Sequence, residues 1–249
     1  MRRLERSALR LLAVLPAAAL IAALSGCHSP TEVCVVPGAA PGAGPPAATL
    51  GATSTFVILA GSTVTNTGAT TTIVGDVGVS PGSAITGLPV GQPTGGAVHA
   101  ADPAAASAQA ALTVAYNDLA GRARNATMTT AEMGQRTFTA GVYAWATSAQ
   151  VTGTTTLDAK GDPNAVFIFQ IGSTLTTATN AAVSLVNGAD ADNVFWQVGS
   201  SATLGTGTAF RGNILALASI TLNSGATLSG RALARTGAVT LDANAVALP

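Results

Sequence analysis

The chain has 249 residues, with 11 Lys and Arg against 11 Asp and Glu, and only 9% of positions are charged and 4% aromatic. That balance supplies no basic patch for nucleic acid, and a 48% hydrophobic share is too apolar for a chain that stays disordered. With 28 Gly and 34 Thr where aromatic residues would otherwise stand, the composition points to thin, repeated layers instead of one thick core.

Arg2, Arg3, Arg6 and Arg10 precede an apolar run from Leu11 to Leu24, broken only by Pro16. A run of about 14 residues falls short of the roughly 20 that cross a bilayer, and it has the length of a signal-peptide core. It ends in Leu24-Ser25-Gly26-Cys27, which resembles the bacterial lipobox. The resemblance implies removal of residues 1–26, lipidation of Cys27, and export to a lipid-anchored position on the cell membrane, outer membrane or cell surface. Residues 28–51, with the stretch from Pro37 to Pro46, are expected to form a flexible linker. The folded domain is expected over Ala52 to Pro249. Cys34 is the only other Cys, and His28 and His99 stand alone, so there is no disulfide framework, metal-ligand set or triad. No cofactor is expected.

One helix is legible after His99. Asp102 reads as its N-cap, Pro103 as the first helical residue, and Gly121 as its end. Ala108, Leu112, Ala115, Tyr116 and Leu119 fall on one stripe, which must lie against an apolar surface. A second short helical turn is expected from Thr130, with Glu132 in it.

The rest reads as repeated β-structure. Gly212-Asn213-Ile214-Leu215-Ala216 and Gly230-Arg231-Ala232-Leu233-Ala234 lie 18 residues apart, and Gly75-Asp76-Val77-Gly78-Val79 has the same shape. Thr-Leu pairs occur at Thr156, Thr174, Thr203, Thr221 and Thr240, in steps of 18, 29, 18 and 19 residues. The long step contains the loop-like run from Asn187 to Asn193. Such a period marks a solenoid whose coils bury their apolar positions against one another, and at about 3.3 Å per residue it fits a triangular coil of three short strands. Leu175, Leu204, Leu222 and Leu241 are expected to stack inside. By alternation, Thr174, Thr203, Thr221 and Thr240 then form a column on one outer face.

A second pattern, Thr-small-x-Thr/Asn, lies beside the ladder: Thr67 to Thr70, Thr152 to Thr155 and Thr177 to Asn180 follow it, and Thr206-Gly207-Thr208-Ala209 and Ser224-Gly225-Ala226-Thr227 follow it loosely. From about Ala52 to Pro249 the chain resembles the microbial ice-binding domain. The resemblance is carried by Gly75 to Gly82, the helix after His99, Gly141-Val142-Tyr143, Asp162 to Gln170 and Asn193 to Gly199. It implies an all-β fold, a right-handed β-solenoid with one long α-helix packed alongside, and binding of ice crystals through a flat, Thr-rich face, without catalysis and as a monomer. Thr gives a hydroxyl that holds ordered water, a methyl that disfavours disordered water, and a stiff χ1 that keeps both in place. Two strips compete for the role. A small residue between Thr residues favours Thr67, Thr70, Thr152, Thr154, Thr155, Thr177, Thr179, Thr206 and Thr208, and the ladder residues Thr174, Thr203, Thr221 and Thr240 are adjacent to them.

Other functions fit less well. A polysaccharide-cleaving solenoid needs two carboxyls about 5–10 Å apart in a cleft. Asp158 and Asp162 flank Lys160, and Asp190 and Asp192 lie in the insertion, where they read as turn residues. The run from Asp190 to Asn193 also lacks the ordered spacing of a calcium loop. An envelope adhesin binding a glycan would use exposed aromatics, whereas Phe167, Phe169, Phe195 and Trp196 sit in apolar strands and are expected inside.

Overall fold

The computed structural model describes residues 44–249, so the signal sequence, Cys27 and most of the expected linker lie outside the described residues. In chain order the strands are β1 (Phe56–Ala60), β2 (Thr63–Asn66), β3 (Thr72–Val74), β4 (Asp76–Val79), β5 (Ala84–Thr86) and β6 (Val98–Ala100), followed by helix α1 (Pro103–Gly121). Then come β7 (Ala126–Met128), β8 (Thr137–Thr139), β9 (Gly141–Trp145), β10 (Ala149–Val151), β11 (Thr154–Asp158), β12 (Phe167–Ile171), β13 (Leu175–Thr177) and β14 (Ala182–Val186). The last are β15 (Val194–Val198), β16 (Ala202–Leu204), β17 (Ala209–Ala216), β18 (Ile220–Leu222), β19 (Thr227–Ala234), β20 (Val239–Leu241) and β21 (Ala245–Ala247).

Parallel pairing sorts these strands into three ladders. Face A runs β6-β4-β1-β19-β17-β15-β12-β9-β7, and face B runs β10-β13-β16-β18-β20-β2-β5. Face C runs β8-β11-β14-β17-β19-β21-β3. The chain passes from A to B to C and back, one coil at a time. β17 and β19 belong to two ladders because each bends through the corner from C to A, at Gly212 (φ 106°) and Gly230 (φ 148°). A Cβ on Gly230 would come within 2.0 Å of the Gly212 carbonyl oxygen, so the repeated glycine read from the sequence is a requirement of the stacked corner. The 18-residue repeat is in register, with Gly212 opposite Gly230 and Ala216 opposite Ala234.

Stacking order departs from chain order at one place. β1 pairs with β19 on one side and β4 on the other, so the first coil sits against the last. β6 and β7 lie at opposite ends of face A, and α1 carries the chain between them.

Two apolar layers hold the domain. Inward side chains from all three ladders make the larger one, with Phe138, Phe167, Phe169, Trp196 and Phe210 at its centre; Phe169 and Trp196 stack at 4.2 Å. The second layer lies between face A and α1, where Ala108, Leu112, Ala115, Tyr116 and Leu119 meet Leu59, Val142, Ile168, Phe195, Leu215 and Leu233. This is the stripe expected from the sequence. Asp102 caps the helix as expected, its Oδ1 accepting the Ala105 N–H at 2.8 Å. At the other end the buried Gln170 side chain donates to the carbonyls of Leu119 (2.7 Å) and Arg122 (2.9 Å), which would otherwise be left without partners.

Three expectations are corrected. No helical turn begins at Thr130, because Glu132 bridges to Gln150 as a short continuation of face B and the Thr130 carbonyl accepts the Trp145 indole N–H at 2.9 Å. The packed segment starts before Ala52, since Ala48 and Leu50 already lie in the layer between face A and α1. Thr156-Leu157 belongs to β11 on face C, away from the other Thr-Leu pairs.

Candidate functional site

Face A is covered by α1, and face C carries Arg211 and a shallow dent of about 200 Å³ lined by Val74, Arg211, Ser229 and Ala247 among others. Face B has a different surface. Its strands alternate strictly, with Leu175, Ala202, Ile220, Val239 and Val64 buried in register along the inside. The residues between the inward positions point outward. In stacking order they are Gln150, Thr176, Thr203, Thr221, Thr240, Thr65 and Thr86. Thr therefore recurs at the same place in consecutive coils, about 4.8 Å apart.

A second outward column stands two residues earlier in each coil, with Ser148, Thr174, Ser201, Ser219, Ala238, Thr63 and Ala84. Its hydroxyls are tied across the coils. The Thr174 hydroxyl donates to Ser148 Oγ at 2.8 Å, the Ser201 hydroxyl accepts the Ser219 N–H at 3.3 Å, and the Ser219 hydroxyl accepts the Ala238 N–H at 3.2 Å. Among the described residues the central Thr hydroxyls are left outside this network. From Gln150 to Thr86 and from Ser148 to Ala84 the columns are free of charge. Arg235 leaves the strand preceding face B but stacks 4.6 Å over the Tyr116 ring, on the helix side. Glu132 marks the end of the face, beside Gln150; burial raises its pKa, but the N–H groups of Thr152 and Gly134 outweigh this and hold it below the ordinary value.

Thr203, Thr221 and Thr240 occupy the outer column expected from the sequence. Thr174 does not; it lies in the neighbouring column, and Thr176 takes the central position, because Leu175 pairs with Ala202 and not with Leu204. Leu204, Leu222 and Leu241 do stack inside in register. Thr65 and Thr86 were hidden from the repeat because β2 reaches face B out of chain order, against β20.

The Thr-small-x-Thr/Asn segments form the corner from face B to face C, and only residues 206–209 and 224–227 superpose. The corner is residues 152–153 in one coil, 178–181, 205–208 and 223–226 in the next three, then 242–244 and 67–71. In three segments the small residue, Gly153 (φ 77°), Gly207 (67°) or Gly225 (71°), supplies the left-handed conformation of the turn; Asn180 (58°) and Ala243 (52°) supply it in two other coils. Thr67, Thr70, Thr152, Thr154, Thr179 and Thr206 are exposed there, with Thr154 already on face C.

Thr155, Thr177 and Thr208 are buried, which removes them from any outer strip. The Thr177 and Thr208 hydroxyls bond each other at 2.7 Å, Thr177 Oγ1 accepts the Gly205 N–H at 2.8 Å, and Thr155 Oγ1 donates to the Met133 carbonyl at 2.9 Å. They are corner struts.

A helix-backed stack of parallel coils with one uncharged, hydroxyl-bearing ladder belongs to a recognisable class. The family model described as ice-binding-like matches residues 58–247, and the chain belongs to that family. Among its relatives, an "Ice-binding protein" of Nostoc sp. (strain HG1) is 54% identical over 198 residues, covering 79% of this chain and 72% of the relative. One of Colwellia sp. is 37% identical over 222 residues, covering 83% and 86%. The crystal structure of an ice-binding protein from an Antarctic Biological Consortium superposes with a TM-score of 0.81 at 46% identity, over 87% of this chain and 96% of that one. That of an ice-binding protein from the Antarctic ascomycete Antarctomyces psychrotrophicus gives 0.78 at 41%, over 82% and 98%.

Proposed function

We propose that this chain binds ice, without catalysis, through face B, and that the contact is the column Thr176-Thr203-Thr221-Thr240-Thr65-Thr86 with the Ser/Thr column beside it. The observation that carries the reading is the register of that column across consecutive coils. Ice is a rigid lattice, so its binder needs a flat and rigid surface, not a pocket. The β-sheet fixes the row spacing, the stiff Thr χ1 fixes the methyl and hydroxyl directions, and little side-chain freedom is lost on contact. Charged groups would keep their own hydration shells, and both columns lack them. The corners keep one length over only three consecutive coils, where Thr179, Thr206 and Ser224 align, so their row is shorter than the face B column, and the exposed corner residues Thr67, Thr70, Thr152, Thr179 and Thr206 border the face. A glycan-binding surface would need exposed aromatic rings, and Tyr143, Trp145, Phe167, Phe169, Phe195 and Trp196 are buried.

In this reading the three ladders form the sides of a right-handed, triangular solenoid, the hand being that of nearly all parallel β-crossovers. Cys27 carries the lipid anchor, and the domain acts as a monomer outside the membrane. Thermal hysteresis and ice-recrystallisation assays test the site. Thr203→Tyr and Thr221→Tyr should each abolish activity. Retention of activity in both, with loss in Thr206→Tyr, would move the site to the corner.

A further inference from the structure

Residues 44–50 do not hang free of the domain. Arg122, just past the end of α1, donates from its guanidinium to the carbonyls of Pro46 and Ala47 and is itself held by Asp118 at 2.6 Å. Ala48 and Leu50 then enter the apolar layer between α1 and face A. At the start of this strap, Gly44 lies beside Ala140 and Val166, so closely that a Cβ on it would be 3.3 Å from the Ala140 Cβ. Residues 44–47, together with Asp162, Asn164 and Asn193, line one hollow. Ala140, Val166 and Asn193 each stand immediately before a face A strand, which is the corner from C to A.

In a three-sided coil, the corner between C and A is the one opposite face B. We infer that the chain enters the domain at the point farthest from its ice-contacting face, so that a domain held from its N-terminal side presents face B outward, toward ice, and its helix side toward whatever holds it. This rests on the reading of face B as the ice contact. It also gives the strap a role: Arg122 fixes the entry point, and with it the side from which the domain is held.

The test uses the full chain with Cys27→Ser, Cys34→Ser and Ala43→Cys. A nitroxide at position 43 should bleach amide signals of residues 118–122 and 162–166 and spare those of Thr203, Thr221 and Thr240. Bleaching of the face B amides overturns the entry point. Arg122→Ala should spread the bleaching over more of the domain without changing ice activity of the free protein. Beads coupled through position 43 should capture ice, and beads coupled through Thr221→Cys, with Ala43 restored, should not. Failure of the first beads, when the same protein binds ice in solution, overturns the presentation. Ice capture by the Thr221-coupled beads instead overturns face B as the contact and the outward presentation with it, while the bleaching pattern still decides where the chain enters.

Discussion

Thr177 and Thr221 both lie on or beside face B, yet their surroundings assign them opposite tasks. Thr177 is 8% exposed, and its hydroxyl satisfies the Gly205 N–H and the Thr208 hydroxyl. Thr177→Val keeps the shape and removes those partners, so it should cost about 1–3 kcal/mol in denaturant unfolding, the usual penalty for buried groups left unsatisfied. Its ice activity should be unchanged at temperatures where the fold is intact. Thr221→Val, on the outer column, should alter stability by no more than about 0.5 kcal/mol and lower thermal hysteresis. Asp158 gives a pH signature independent of ice. The Lys160 ammonium at 2.8 Å, the Asn187 amide at 2.7 Å and the Lys160 N–H hold its pKa down from 3.8 to about 2. The folded state binds this proton less readily than the unfolded chain, so the stabilisation is complete above about pH 4 and is lost as pH falls toward 2. Urea unfolding between pH 2 and pH 5 should show that slope, and Asp158→Asn should flatten it.

Elements whose signals are local were the readable ones. The cap, first-turn proline and apolar stripe of α1 all lie within its own residues, so both its limits and its buried face follow from the sequence. Asp102→Ala should therefore cost about 1 kcal/mol, and Leu112→Ala, in the layer against face A, about 2–5 kcal/mol, both measurable by thermal or chemical unfolding. The strands of the last coils were equally readable, because one 18-residue step brings Gly212 onto Gly230 with no corner of different length between them. Register failed at β13, where the Thr-Leu pair sits two positions earlier along the coil than in β16. Thr174 resembles Thr203 in its Thr-Leu context, but the strand pairing places Thr176 in the column, and no feature of the dipeptide marks that shift. The Thr-small-x-Thr/Asn pattern was real but was assigned the wrong cause. The small residue answers to a positive φ at Gly153, Gly207 and Gly225, and Thr155, Thr177 and Thr208 turn inward to brace the corner. Glu132 looked like a first-turn helical residue, yet its carboxylate is committed to the N–H groups of Gly134 and Thr152 in the neighbouring coil, a contact 20 residues away in the chain.

At the scale of the whole molecule, the junction between the first coil and the last is crossed by the side chains of Thr67, Thr71 and Arg231, and Arg231 makes the most hydrogen bonds there. Arg231 of β19 donates to the Ser54 carbonyl at 3.1 and 2.8 Å, to Asp192 at 2.7 Å and to Asn213 at 2.7 Å, while the Asn213 amide in turn holds the carbonyls of Asp192 and Val194. Arg231→Met should lower stability by about 1–3 kcal/mol, since the groups left behind are partly or wholly buried. Hydrogen exchange should then accelerate first in β1, whose partner strand has lost its anchor.

Because α1 must reach from the strand at one end of face A to the strand at the other, its length works as a gauge for the stack. A coil adds about 4.8 Å along the stack, and a helical residue advances about 1.5 Å, so each extra coil calls for roughly three more residues in α1. The area of face B is thereby coupled to a helix on the far side that never touches it. Lengthening the Thr column by inserting a duplicate of residues 212–229 should give a folded protein only when α1 is extended to match. Selection for a broader surface would have to act on two distant segments of the chain at once.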